Sequence, residues 1–222
     1  MDAPLLADLR ARVVEAGVGL LDAGLVRGTA GNLSARSGDA GLVAISPTGI
    51  GYRRITPDLV PVVDLDGRVV DGAARPSSEL PMHLAVYRAR PDVGAVVHTH
   101  SVFAATFAAL GEELPGVHYA IAWAGRRVRV APYATYGSRE LAERCLATLG
   151  ADQAVLLANH GVLAVGPDLD RAVAVAEAVE FTAEVCWRAR CVGTPNVLAD
   201  EELDRVARAF ARYGQPARPG GQ

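Results

Sequence analysis

The chain has 222 residues, half of them hydrophobic and 21% charged, with a formal net charge of −3. That length suits one domain able to bury its own core. The apolar content excludes a disordered chain, and the charge balance offers no basic face of the kind nucleic acids need.

From the N-terminus, Leu6, Leu9, Val13, Ala16 and Leu20 recur at spacings of three and four, predicting an amphipathic helix that stops before Gly24. "GTAGNLSAR", "SGDAG" and "LVAIS" read as loop and strand, turn, and a second strand, hence an antiparallel pair. "VVDLDGRVVDG" repeats this pattern, with Asp66-Gly67 suited to a tight hairpin turn. "RPSSELPMHLAVYRARP" predicts a helix with serines at its start and Pro81 tolerated in the first turn.

A strand over residues 93–100 follows, then an apolar helix through Leu110. "VRVAPY" is another expected strand, and Ser138 is placed to cap a helix ending near Gly150. "AVLLANHGVLAVG" gives two apolar strands broken at Asn159-His160-Gly161, and helices are expected over residues 168–190 and 200–213. Strands and helices interleave, yet at least two strand pairs are hairpins. The expected fold is therefore α/β, with a mixed, mostly antiparallel sheet covered by helices. No linker divides residues 1–214, which are expected to form one domain. The tail "QPARPGGQ", residues 215–222, is expected to be flexible.

Three cysteines, Cys145, Cys186 and Cys191, form no C-x-x-C pair, so free buried thiols in a reducing compartment are expected. No signal-peptide pattern opens the chain, and His98 and His100 interrupt its most apolar window, so the expected location is the cytoplasm, with no membrane span. Arg126, Arg127 and Arg129 read as a solvated strand end. All 22 basic residues are arginine. Schiff-base chemistry through a protein side chain needs a lysine amine, so carbonyl chemistry here requires a different electron sink.

"VVHTHS" puts His98 and His100 at alternate positions of a strand, where side chains share a face. His160 sits in a turn between Asn159 and Gly161, where its imidazole is accessible. Three neutral imidazoles with an open fourth position make a catalytic zinc geometry, and Glu79 is placed as a fourth ligand or a nearby base. The alternative is a polar, hydrogen-bonded pair at a sheet end. "GTAGNLS", "SPTG" and "RPSSE" are each readable as a turn or a cap; together they offer hydroxyls and backbone N–H groups suited to a phosphate. His83, four residues after Glu79, either tunes it or makes a structural hydrogen bond. Tyr133 and Tyr136 line a pocket or turn a corner, His118 orients the loop of Tyr119 or has no role, and Trp123 and Trp187 read as packing.

"GTAGNLSAR", "SPTG", "RPSSE", "VVHTHS", "VHYAIAWAG", "APYATYGSREL" and "ANHGVLAVG" occur in the order found in class II aldolases, and the chain resembles the L-fuculose-1-phosphate aldolase type over roughly residues 5 to 214. The resemblance implies a three-layer α/β/α fold and a homotetramer with active sites between subunits. It implies one Zn²⁺ per subunit on His98, His100 and His160, with Glu79 as acid/base and ligand when no substrate is bound. Asn32, Thr48, Gly49, Ser77 and Ser78 would hold the substrate phosphate. Tyr119 would be the second proton-transfer group, serving its own or a neighbouring subunit, and Tyr213 would help close the site. The implied reaction is reversible cleavage of L-fuculose 1-phosphate to dihydroxyacetone phosphate and L-lactaldehyde, with the metal taking the part a lysine cannot. A 5-deoxy-pentulose 1-phosphate aldolase, a pentulose-phosphate 4-epimerase, a sugar-acid phosphate lyase, a thioribulose-phosphate dehydratase and a non-catalytic adducin-like module share the fold and stand as alternatives.

Overall fold

The computed structural model describes residues 5–38, 41–210 and 212. Eight strands form one sheet in the order β4-β3-β2-β1-β5-β8-β7-β6. They are β1 (Asn32–Arg36), β2 (Leu42–Ile45), β3 (Val62–Asp64), β4 (Val69–Asp71), β5 (Ala95–Thr99), β6 (Val130–Ala131), β7 (Ala154–Leu157) and β8 (Gly161–Gly166). Every pairing is antiparallel except β6 with β7, so the sheet is mixed, as expected. "VRVAPY" yields only the two residues of β6, at the sheet edge.

Among the described residues six α-helices cover the sheet: α1 (Ala7–Asp22), α2 (Leu80–Ala89), α3 (Val102–Leu110), α4 (Arg139–Leu149), α5 (Leu169–Val192) and α6 (Asp200–Phe210). Strand alternation divides their packing. Val97, Leu156 and Ala164 join a core with Val13, Phe107 and Val179, from α1, α3 and α5. Val96, Val155 and Leu163 join a second core with Met82, Val86 and Leu141, from α2 and α4. Adjacent residues of one strand point to opposite faces, which is why β5, β7 and β8 are buried throughout and the fold has three layers.

Start signals act largely as read. Ser138 and Asp168 accept hydrogen bonds from Leu141 N and Arg171 N and cap α4 and α5. Ser77 and Ser78 do not cap α2 in this sense: its cap position is Glu79, and Ser77 Oγ accepts from Glu79 N at 3.2 Å. The arginine cluster is ion-paired, Arg126 with Asp204 at 2.7 Å and Arg129 with Asp152 at 2.7 Å. Cys145 and Cys186 are buried, but Cys191 is exposed near the end of α5, beyond the last buried residue of that helix, Cys186, contrary to the expected burial of all three thiols. No described helix is long and apolar enough to cross a membrane. Tyr213 and the tail lie outside the described residues.

Candidate active site and metal centre

β5 ends at Thr99, so His98 is its last residue but one and His100 lies just beyond it. The two rings still converge, with Nε2 atoms 2.9 Å apart. His160 joins them from the β7–β8 turn; the three ring centroids lie 4.7 to 4.9 Å from one another. Glu79, from the start of α2, completes the group, its Oε2 3.1 Å from His98 Nε2 and its Oε1 3.5 Å from His160 Nε2. One ligand atom from each of the four residues lies within 4.8 Å of the others.

The local backbone explains the "NHG" sequence. Asn159 has φ 54°, a left-handed conformation that asparagine tolerates better than most residues. A Cβ on Gly161 would sit 2.3 Å from Thr99 O and 3.0 Å from His100 Cδ2, so only glycine lets the turn press against Thr99 and His100. Glu180 contributes from α5: its carboxylate accepts from the backbone N–H groups of Phe103 and Ala104 at 2.9 and 2.8 Å. It anchors the start of α3 directly after His100, and no local spacing in the sequence announces it.

The hydrogen bonding fits a cation. His98 Nδ1 donates to Val162 O at 2.9 Å, so the tautomer this contact selects has its lone pair on Nε2, facing the cluster. Glu79 Oε1 is buried with no hydrogen-bond partner among the described residues. A bound cation answers both conditions, since it accepts imidazole lone pairs and carboxylate oxygens together. Burial pushes His100 and His160 down to about 4, keeping both rings neutral near pH 7. Burial alone would raise the Glu79 pKa, but at the low pH where His98 and His160 are protonated, the hydrogen bond and charge of His98, the charge of His160 and the Asn32 amide outweigh it. They hold the carboxyl well below its usual range.

A second set of polar contacts lies behind Glu79. Asn32 Nδ2 donates to Glu79 Oε2 at 3.0 Å, and Asn32 Oδ1 lies 2.6 Å from His83 Nε2. His83 therefore does not touch Glu79 directly; Asn32 stands between them. Burial, followed by like-charge repulsion from a protonated His98, pushes His83 down to about 3 against the opposing charge of Glu79, so the ring is neutral. His83 Nδ1 meets Ser34 Oγ at 2.7 Å, and Ser34 Oγ meets the Tyr87 hydroxyl at 2.8 Å. Sequence reading missed Ser34 and Tyr87. Their signal was present: Glu79, His83 and Tyr87 are four residues apart on one helix stripe, opposite alternate residues Asn32 and Ser34 of β1.

The cluster opens into a cavity of about 340 Å³, within the range of small-molecule sites. Thr48, Gly49, Ser77 and Ser78 line it together with Asn32, Glu79, His100 and His160, so the three polar loops do converge. Gly49, at φ 69°, has open space where a Cβ would stand. Gly137, at φ 71°, lets the segment carrying Tyr133 and Tyr136 approach Ser78 O, and both tyrosines line the cavity. Tyr119 does not; it is 52% exposed and packs beside His118 and Phe210. His118 accepts from Ala120 N at 3.2 Å and so holds that turn. Trp123 stacks on Phe210, whereas Trp187 is 44% exposed with one edge near Phe103.

Comparison with known proteins matches residues 11–187 to the family described as class II aldolase and adducin N-terminal domain. The chain is 44% identical over 211 residues to the 5-deoxy-D-ribulose 1-phosphate aldolase of Bacillus thuringiensis serovar kurstaki, covering 95% of this chain and 99% of that one. It is 40% identical over 193 residues to the L-fuculose phosphate aldolase of Escherichia coli strain K12, covering 86% and 88%. A solved L-fuculose 1-phosphate aldolase superposes with a TM-score of 0.91 at 41% identity, over 95% of this chain and 100% of that one. Family match, full-length relatives and a four-residue metal-binding group agree: the chain belongs to the class II aldolase family and is a metal-dependent aldehyde-lyase.

Proposed function

We propose that this protein reversibly cleaves a ketose 1-phosphate to dihydroxyacetone phosphate and a small aldehyde. The observation that carries this reading is the Glu79–His98–His100–His160 group facing a cavity whose other wall is Thr48, Gly49, Ser77 and Ser78. His98, His100 and His160 would hold the metal, with Glu79 joining them in the absence of substrate. Imidazole and carboxylate donors suit zinc. A cation there would supply Lewis-acid stabilisation of the negative charge released when the carbon–carbon bond breaks, in a chain without a lysine.

The residues of the chain divide the remaining work. Thr48, Ser77 and Ser78 hydroxyls, backbone N–H groups near Gly49, and the start of α2 bind the phosphate through neutral donors and a favourable helix end. Glu79 is ionised at rest. It removes a proton from the carbon beside the ketone in condensation and returns one there in cleavage. Tyr119 exchanges the proton of the hydroxyl at the bond being broken; its exposure and distance from the cavity favour service to a neighbouring subunit of a homotetramer. Tyr213, outside the described residues, is assigned by the family resemblance to help close the site. The enzyme works in the cytoplasm, and residues 1–214 act as one domain.

L-fuculose 1-phosphate is the first substrate to test, since sequence motifs and the 0.91 TM-score relative both point to it. 5-Deoxyribulose 1-phosphate is the second, favoured by the 44% identical relative. Release of dihydroxyacetone phosphate from each is compared by kcat/KM, with and without a chelator and after zinc is restored. Chelator-sensitive release from either substrate supports the reaction, and the ratio assigns the aldehyde. No release from either by zinc-loaded protein would overturn it.

A further inference from the structure

Beneath α2 lies a run of four hydrogen bonds joining Tyr87, Ser34, His83, Asn32 and Glu79. Ser34, His83 and Tyr87 are at most 1% exposed, and Asn32 is 5% exposed. Burying so many polar groups is costly unless they find partners, and here each side chain of the run has at least one, Glu79 through Oε2.

The proton order along the run follows from its end. A carboxylate only accepts, so the amide nitrogen of Asn32 faces Glu79 and its oxygen faces His83. His83 must then donate from Nε2. A neutral imidazole carrying its proton on Nε2 accepts at Nδ1, so the Ser34 hydroxyl donates to His83 and receives from Tyr87. Burial pushes the Tyr87 hydroxyl well above its ordinary range, which keeps its proton in place. All four donors therefore point the same way, toward Glu79.

We propose that Tyr87, Ser34 and His83 are positioning residues that lock the Asn32 amide, and through it the Glu79 carboxylate, in the orientation proton transfer needs. The proposal rests on Glu79 being the acid/base of the reaction above. Without His83, the Asn32 amide is free to turn over and set its oxygen against Oε2, where two acceptors repel. Glu79 would then leave the orientation in which its other oxygen faces His160. The α2 stripe and the β1–β5 register make the arrangement possible: Asn32 pairs with His98 and Ser34 with Val96, so the run lies on the strand face that carries His98.

The test compares two buried amides at one position. The side-chain nitrogen of glutamine reaches the place of Nε2 and can donate to Asn32; that of asparagine reaches only the place of Nδ1. His83→Asn should lower kcat about 10- to 100-fold, the scale of lost support around a metal site. KM and bound zinc should change little, and His83→Gln should recover kcat to within about threefold of wild type. Equal behaviour of the two variants, active or inactive, would overturn the proposal. Ser34→Ala is a milder change that should let the imidazole proton move to Nδ1 and lower kcat; an unchanged tautomer and kcat would count against the relay. Ring nitrogen chemical shifts of His83 in the metal-free wild type give a readout apart from activity. An Nε2–H ring supports the run, while an Nδ1–H ring in an active enzyme overturns it and leaves the aldolase reading intact. A wild type that cleaves no ketose phosphate would instead remove the acid/base reading on which the relay's purpose rests.

Discussion

The two faces of the sheet are built from the same strands and do different work. The face under α1, α3 and α5 holds a continuous apolar core from Val13 and Phe107 to Val179. The face under α2 and α4 carries a core of its own, but also Asn32, Ser34, His83, His98 and Tyr87, all buried. Strand parity alone assigns a residue to one face or the other. The buried polar groups of the opposite face, Arg10, Thr99 and Thr182, are scattered, whereas those beside α2 are joined to one another and to the site. The α2 face therefore serves the chemistry, and the other chiefly supplies stability.

The comparison predicts separable losses. The largest concerns the polar face: Glu79→Gln should lower kcat by about 10²- to 10⁴-fold, with little change in melting temperature, because the amide keeps the shape of the carboxylate. Steady-state cleavage and thermal unfolding measured on one preparation check both halves, and a Glu79→Gln enzyme of ordinary speed would remove Glu79 from the chemistry. On the other face, Phe107 is 1% exposed. Phe107→Ala should cost about 3–5 kcal/mol in denaturant unfolding, while the folded fraction keeps its kcat.

The pH dependence of stability sharpens the same division. His83 is pushed down to about 3 and His100 and His160 to about 4, from an ordinary value of 6.5. The unfolded chain therefore takes up protons near pH 6.5 that the folded chain refuses until about pH 4 or below. Stability from these groups is complete above about 6.5 and lost as pH falls from there. The lowered pKa of Glu79 adds in the same direction below its ordinary 4.5. The metal-free protein should thus melt at lower temperature at pH 5 than at pH 7. Phe107→Ala should shift that curve downward without changing its slope, because no titrating group is altered. A flat profile between pH 7 and 5 would contradict the neutral, buried state of the three rings.

Much of this was legible in the sequence because the relevant signals are local. The 2-residue period of "VVHTHS" placed two imidazoles together, and "NHG" announced a tight turn whose glycine proves necessary for contact with Thr99 O. Antiparallel hairpins, the helix cap at Ser138 and the helix start at Asp168 were written in short spacings. What the sequence concealed depends on register. Nothing local says that Asn32 lies opposite His98, so the contacts of its amide with Glu79 and His83 could not be read from the sequence. Glu180 stayed hidden for the same reason, its partners Phe103 and Ala104 lying on another helix. Burial at a helix end is equally invisible to spacing, as the exposed Cys191 shows.

The smallest predicted effect tests the comparison most closely, because it uses neighbours on one strand. Val96 and Val97 are both fully buried in β5, and they point to opposite faces. Each mutation to alanine removes similar apolar volume, so each should cost a similar amount, about 1–3 kcal/mol, in denaturant unfolding. Their effects on catalysis should differ. Val96 lies on the face of His98, opposite Ser34, and a cavity there gives the polar run room to shift. Val96→Ala should lower kcat about threefold, since small misplacements of reacting groups slow chemistry. Val97→Ala should leave kcat at the wild-type value, because its cavity opens into the apolar core under α1, α3 and α5. Equal kcat in the two variants would mean that strand parity divides packing but not function.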